Sequence, residues 1–139
     1  MLRPNNRKFR KDFKGRISTA FESRSNQLKF GTHGLQALEK GHITARQIEA
    51  VRRSITSFMK RRGKVWIRIF PDHPITAKPT EVRMGKGKGN VSYWVCVVKP
   101  GRILYEVAGQ NPKIIKEALG YAKTKLPIFT KVVTRDIKI

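Results

Sequence analysis

Acidic residues, cysteines and long apolar runs are all scarce in this chain of 139 residues. Nine Asp and Glu stand against 31 Lys and Arg, which gives a formal net charge of +22 and a pI near 11.1. A compact domain with such an excess repels itself unless a polyanion compensates the charge. The scarcity of acids therefore indicates a nucleic acid or an anionic membrane as the partner.

The lack of long apolar runs and the single cysteine restrict the kind of partner and the kind of site that can be expected. No apolar run approaches the roughly eighteen residues that a membrane span requires, so a membrane partner is not expected. The single cysteine, Cys96, excludes an internal disulfide and is interpreted as a small core residue. His33, His42 and His73 do not have the close spacing of zinc ligands with Cys96. No metal and no cofactor are expected.

The segment with the clearest chemical character is the glycine-lysine loop, residues 83–90. Its glycines and lysines cannot fill a core, and the β-branched and aromatic run over 91–98 predicts a strand that supports the loop. The spacing fits neither a Walker loop nor a dinucleotide fingerprint, because both require a following helix. Taken alone, the loop is equally consistent with a solvated hairpin loop and with a loop that contacts phosphate. Its residues are Arg83, Met84, Gly85, Lys86, Gly87, Lys88, Gly89 and Asn90.

The composition of residues 1–16 predicts a basic arm that extends from the domain. Its cations are opposed by Asp12 alone, and its aromatic rings are too thinly spaced to build a core. Fully extended, it would reach about 50 Å, and we expect it to order on binding RNA. A targeting sequence is the competing interpretation, but rings interleaved with cations favour stacking on bases or sugars. The residues expected to contact RNA are Arg7, Lys8, Phe9, Arg10, Lys11, Lys14 and Arg16.

A helix over residues 44–62 is predicted by a capping-box pair, Thr44 and Gln47, and by apolar residues at helical spacing. Gly63 is expected to end it. Its other faces are cationic, and a half-buried basic strand is expected over 64–70. Within that strand Trp66 either covers a core edge or stacks on a base. The residues expected to contact RNA are Arg46, Arg52, Arg53, Lys60, Arg61, Arg62, Lys64 and Arg68.

The remaining sequence predicts more strands and a second helix. Short strands are expected at 28–30 and 35–38, further strands at 103–107 and 128–134, and a proline-rich loop without regular pairing at 71–80. Asn111 should cap the second helix and Pro127 should end it, and a short basic C-terminus follows the last strand. Two helices on antiparallel strands, without a repeating strand-helix rhythm, indicate an α+β fold. We expect one globular domain, residues 28–139, behind an arm and linker, residues 1–27.

Four motifs occur in order along the chain. They are Lys8-Phe9-Arg10-Lys11 with Lys14-Gly15-Arg16, then Ile43-Thr44-Ala45-Arg46-Gln47-Ile48-Glu49-Ala50, then Trp66-Ile67-Arg68-Ile69-Phe70-Pro71-Asp72, and then residues 82–90. Together they resemble the large-subunit ribosomal protein L-sixteen family of the bacterial and organellar type, over residues 1 to about 134. The chain departs from the family pattern at Phe13, where histidine is frequent, and over 17–30, which lacks the usual glycines.

The resemblance implies a hammerhead-like mixed α/β core bound to large-subunit rRNA near the aminoacyl-tRNA site. It also implies that the glycine-lysine loop faces the peptidyl-transferase region and the aminoacyl-site tRNA, and that neighbouring large-subunit proteins are partners. Catalysis would belong to the RNA, so the chain is not expected to be an enzyme, and no homo-oligomer is expected. Such ribosomes occur in bacteria, plastids and mitochondria. The altered linker favours a mitochondrion.

Two other functions stay open at this point. An enzyme that holds nucleotide phosphates in the loop is disfavoured, because no pair of acids near the loop suggests a magnesium site. A free RNA chaperone would have a similar composition, and sedimentation with the large ribosomal particle would distinguish it from a ribosomal protein.

Overall fold

The computed structural model describes residues 2–109 and 111–135 of the chain. Met1, Gln110 and residues 136–139 lie outside this range, and with them most of the predicted basic C-terminus. Within it, two α-helices and seven β-strands form a mixed α+β domain, so the predicted fold class is confirmed. The strands are β1 (His33–Ala37), β2 (Gly41–Thr44), β3 (Lys64–Ile67), β4 (His73–Ala77), β5 (Asn90–Val98), β6 (Ile103–Ala108) and β7 (Thr130–Thr134). The helices are α1 (Ala45–Phe58) and α2 (Pro112–Ala122), which a short 3-10 helix, Lys123–Lys125, extends.

The strands form two antiparallel sheets, in the order β3-β6-β1-β7 and β2-β5-β4. Every residue of β1, which lies between β6 and β7, is buried. In the smaller sheet, β4 and β5 form a hairpin in which Ala77 pairs with Asn90. The glycine-lysine loop is the tip of this hairpin. The predicted strand behind the loop is therefore confirmed.

The core lies between the helices and the sheets. Val51 and Ile55 of α1 and Leu119 of α2 have no exposed surface, and they join one apolar cluster with strand residues of both sheets. Burial of such side chains contributes roughly 25 cal/mol per Å² of apolar surface. Cys96 is buried in the same cluster, as predicted, and burial raises the pKa of its thiol.

The predicted start of α1 is confirmed, whereas its predicted end is wrong. The Thr44 hydroxyl accepts from the amide of Gln47 at 3.2 Å, and the Gln47 side chain accepts from the amide of Thr44 at 2.9 Å, which completes the capping box. At the other end, the amide of Lys60 donates to Ser57 and that of Arg61 to Thr56. These two bonds form a Schellman motif, so the helix ends at Phe58.

Two other predicted segments differ from the structure. Residues 71–80 are not an unpaired loop, because β4 pairs with β5 along its length. The pairing tolerates Pro74 because β4 is an edge strand, where a missing amide need not leave a partner unpaired. Residues 28–30 are not a strand, and the amides of Lys29 and Phe30 turn inward to a carboxylate. The strands predicted over 64–70 and 128–134 are shorter, since β3 ends at Ile67 and β7 begins at Thr130.

That carboxylate belongs to Glu106, which is fully buried in β6. It accepts hydrogen bonds from the amides of Lys29 (3.1 Å), Phe30 (2.6 Å) and Gly31 (2.7 Å), and from the Arg68 guanidinium (2.7 Å). Desolvation alone would raise the pKa of Glu106, but these donors outweigh it, so the pKa lies below its usual value. Gly31 is required for the approach, since a Cβ there would lie 2.7 Å from the Val107 carbonyl oxygen.

We expect Glu106→Gln to lower the free energy of unfolding at pH 7 by about 3 kcal/mol, because it leaves the buried Arg68 charge without its partner. A depressed pKa gives stability that is present above the unfolded-state value of about 4.3 and is lost as the pH falls through the lower folded-state value. The variant should therefore lose less stability than the parent on acidification. Urea denaturation at pH 7 and at lower pH measures both effects.

The matched control is Glu117→Gln, which removes an exposed carboxylate on α2. It should change the free energy of unfolding by no more than about 0.5 kcal/mol. Equal stability and an equal acid dependence in Glu106→Gln and Glu117→Gln would contradict the role given to Glu106.

Candidate nucleic-acid interface

Nearly all the cations predicted to contact RNA lie at the protein surface. Only Arg52 and Arg68 among them are half-buried. Of the glycine-lysine loop, only Gly89 is half-buried, and the Met84 side chain is 99% exposed. The predicted residues thus lie in four places: the N-terminal segment, α1 with the turn that follows it, β3 with the residue after it, and the loop.

The structure does not show an arm that stands clear of the domain. Residues 2–16 contain no helix or strand. Part of this segment contacts the core, the smaller sheet and the glycine-lysine loop. Leu2 packs against the apolar core, and the Arg7 guanidinium lies 5.5 Å from the ring centre of Trp94. Asp12 pairs with Arg7 at 2.8 Å and lies 3.7 Å from the His73 ring nitrogen. These contacts explain why the segment folds back.

The arm and the glycine-lysine loop are joined directly. Lys11 Nζ donates to the carbonyl of Lys88 at 3.1 Å, and Lys88 Nζ donates to the carbonyl of Asp12. Sequence reasoning placed both segments on RNA but did not predict that they contact each other. Some 77 residues separate Lys11 from Lys88, and no local pattern reports a contact at that distance along the chain.

The loop itself is open and turns in the left-handed backbone region. Gly85, Lys86 and Gly87 have φ of 94°, 60° and 91°, and a Cβ added at either glycine would meet nothing within 4 Å. The Lys78 ammonium group donates a hydrogen bond to the carbonyl of Gly85, which links the loop to the residue that follows β4. The backbone at the tip is therefore thin and accessible, as phosphate contact requires.

The cations of α1 surround one acid. Glu49 accepts from Arg52 and, at 3.1 Å, from Arg53. Hydrogen bonding, first from Arg52, lowers the pKa of Glu49 to about 2. A groove of about 650 Å³ continues from these arginines to the turn after the helix. Because α1 ends early, Lys60 and Arg61 lie in that turn with left-handed φ and not on a helical face, which corrects the prediction.

Beside β3, cations and aromatic rings alternate. The Trp66 ring stacks on the Phe30 ring with 6.2 Å between centres. Lys64 lies 5.2 Å from the Trp66 ring and Arg68 lies 5.8 Å from the Phe30 ring. Sequence reasoning missed Phe30, whose ring is 57% exposed. Arg68 is bound to Glu106, and its side chain is only 11% exposed, so it is the least available of the predicted cations.

The histidines form a pair that their spacing did not predict. The His42 and His73 rings lie face to face with 6.0 Å between centres, and burial, followed by the neighbouring His73, lowers the pKa of His42. Among residues 2–109 and 111–135, no three His, Cys, Asp or Glu side chains gather into a metal site. In the same part of the chain, neither helix has the length and apolarity to cross a membrane.

Fold and surface define a small, strongly basic α+β protein with its cations on an arm, a helix and a thin loop. The chain matches the family model described as ribosomal protein L16p/L10e over residues 4–133. It is 58% identical over 135 residues to the large ribosomal subunit protein uL16 of the bacterium Chelativorans sp. (strain BNC1), an alignment that covers 97% of this chain and 98% of the relative. The chain therefore belongs to the ribosomal protein L16p/L10e family.

Family membership confirms the resemblance drawn from the four motifs. It also decides between a ribosomal protein and a nucleotide-binding enzyme. The chain is a ribosomal protein of the bacterial type, a structural component and not an enzyme. The preference for a mitochondrion is not supported, because a relative aligned over nearly the whole chain is bacterial. A linker without the usual glycines was not a sufficient signal of an organelle.

We expect Asp12→Ala to loosen the arm, because it removes the ion pair with Arg7. An exposed pair of this kind contributes up to about 1 kcal/mol, which is a factor of about five in the population of the detached arm. Limited trypsin digestion, followed by mass spectrometry of the N-terminal fragments, measures that population.

Glu117→Ala is the matched control, because it adds the same charge on α2, away from the arm. Cleavage of the arm should be as slow in this control as in the parent. If Asp12→Ala is cleaved no faster than the control, Asp12 does not hold the arm.

Proposed function

We propose that this chain is a structural constituent of the large ribosomal subunit that binds rRNA near the aminoacyl-tRNA site and the peptidyl-transferase region and helps to position tRNA. The observation that carries the proposal is the combination of family membership with surface cations that acids do not compensate. The name of the bacterial relative supports the large subunit. Large-subunit rRNA and neighbouring ribosomal proteins are the proposed partners, together with the aminoacyl-site tRNA.

The arm and α1 supply the proposed rRNA contacts. Cations that neutralise phosphates release condensed counterions, and about ten such contacts would lose on the order of five decades of affinity between 50 and 200 mM salt. The turn after α1 presents Lys60, Arg61 and Arg62 as three adjacent exposed cations. We leave Arg68 out of this set, because its charge is bound to Glu106 inside the protein.

The glycine-lysine loop supplies the proposed contact with tRNA or the rRNA backbone at the peptidyl-transferase region. Glycines between Arg83, Lys86 and Lys88 remove side-chain bulk, so that cations can enter a crowded site on a narrow backbone. The paired strands β4 and β5 fix the base of the glycine-lysine loop. The tip can therefore reach a partner while its base stays on a rigid sheet.

We expect the double variant Arg61→Gln, Arg62→Gln to bind large-subunit rRNA with a shallower salt dependence. Each lost phosphate contact lowers the slope of log K against log salt by about 0.9, so the slope should fall by about 2. Filter binding over a salt series measures the slope.

The matched control is Lys113→Gln, Lys116→Gln, which removes two exposed cations from α2. Its slope should equal that of the parent. A slope that is the same in both double variants would show that the turn after α1 does not touch phosphate.

We expect the triple variant Arg83→Ala, Lys86→Ala, Lys88→Ala to assemble into large subunits that bind aminoacyl-tRNA about tenfold more weakly. That loss is about 1.4 kcal/mol, and it follows from removing three cations from the glycine-lysine loop. Binding of labelled aminoacyl-tRNA to purified subunits measures it.

A variant with Lys113, Lys116 and Lys123 replaced by alanine carries the same charge change on α2 and the 3-10 helix that extends it. Subunits with this control should bind aminoacyl-tRNA normally. Unchanged binding with the loop variant would remove tRNA positioning from the proposal. Failure of the parent protein to sediment with the large subunit would favour the free RNA chaperone.

A further inference from the structure

A groove of about 1070 Å³ separates the first residues of the arm from the start of α1 and the first half of β5. Its lining contains no Asp or Glu. The side chains with evident binding chemistry are four arginines and two aromatic residues: Arg3, Arg7, Arg10, Arg46, Tyr93 and Trp94. Guanidinium groups and aromatic rings together suit a ligand that has both negative charge and flat faces.

The groove exists because β5 is longer than its neighbour β2. Thr44, the last residue of β2, pairs with Val95, and the chain then enters α1. Residues 91–94 consequently have no strand beside them on that side. Within the described chain, no backbone hydrogen bond joins residues 2–16 to residues 91–94. The edge of β5 therefore faces the groove with backbone polar groups that no strand pairs.

The residues of β5 that border the groove lie beside a bulge. Tyr93 pairs with Ile75 and Val91 pairs with Thr76, which leaves Ser92 without a partner in β4. Tyr93 and Trp94 follow the bulge in regular register, so their side chains point to opposite faces of the strand. Both residues line the groove, which lies at the open edge of β5. Tyr93 is 48% exposed, so its ring has free surface.

The arginines have different roles at the site. Arg7 is held by Asp12 and covers the Trp94 ring, so it forms part of the wall. No ion pair with an acid of the described residues engages Arg3, Arg10 or Arg46. The fork of a guanidinium group matches two phosphate oxygens at once. Three arginines are thus available for phosphates, next to one available ring.

We propose that this groove binds an unpaired segment of RNA, with its phosphates on Arg3, Arg10 and Arg46 and a base stacked on Tyr93. A paired helix presents its phosphates but covers the faces of its bases, so only an unpaired base can use the ring. The groove volume of about 1070 Å³ lies just above the roughly 300–1,000 Å³ typical of ligand pockets. The inference rests on the proposed RNA binding and adds a site that recognises bases as well as phosphates.

The test compares two labelled oligonucleotides of equal length, a single-stranded oligouridine and the same backbone without bases, by fluorescence anisotropy with the full chain at one salt concentration. The parent should bind the strand with bases about tenfold more tightly, as stacking of one base predicts. Tyr93→Leu should lose this preference and keep its affinity for the abasic strand. Tyr93→Phe, which retains the ring, should keep the preference.

The matched control is Tyr121→Leu, which removes another exposed ring, on α2. It should retain the preference for bases. Equal affinity of the parent for both strands, a preference that survives in Tyr93→Leu, or an equal loss of both affinities in that variant would overturn the groove assignment. The proposed rRNA binding would still stand if the parent binds the abasic strand in a salt-dependent way. If the parent binds neither strand, both proposals fail.

Discussion

The buried carboxylate of Glu106 is the interaction on which the arrangement of the chain depends. It accepts hydrogen bonds from three consecutive amides, Lys29 to Gly31, and from the Arg68 guanidinium, and it lies at the centre of the larger sheet. The segment it holds leads directly into β1, and Arg68 follows the end of β3. One ionised group therefore fixes both the entry of the chain into the sheet and the end of an edge strand. A buried charge is tolerated only when donors surround it in this way.

Several of the few acids among the described residues hold the protein's own structure together. Glu49 binds two arginines of α1, Asp12 holds Arg7, and Glu39 accepts from the amide of Phe129. None of these contacts reduces the charge of the arm or the loop by much, so the excess of cations stays at the surface. Local ion pairs order individual side chains, while the field of the whole protein stays positive. A partner rich in phosphate is what this division of charge requires.

Local signals predicted those parts of the fold that local chemistry decides. The capping box at Thr44, the Asn111 cap of α2 and the strand behind the glycine-lysine loop are all present. The Schellman end of α1 was missed because Lys60 occupies the position where glycine is usual. Pairing of β4 was missed because prolines normally argue against a strand, and only its edge position permits Pro74. Contacts over more than 70 residues, to Glu106 and between arm and loop, have no local signature.

The folded arm has a consequence for the proposed RNA binding. An arm that is disordered in the free protein would lose its conformational freedom on binding. Here Lys11 and Lys88 already donate to backbone carbonyls across the arm and the loop. A phosphate that takes these ammonium groups must replace carbonyl partners, and each exchange trades a neutral acceptor for a charged one that binds more strongly. Because the same two lysines connect both segments, RNA that engaged Lys88 under the proposed function would break one of the contacts that hold the arm. The proposed contacts of the arm and the loop are therefore coupled by the structure of the free protein.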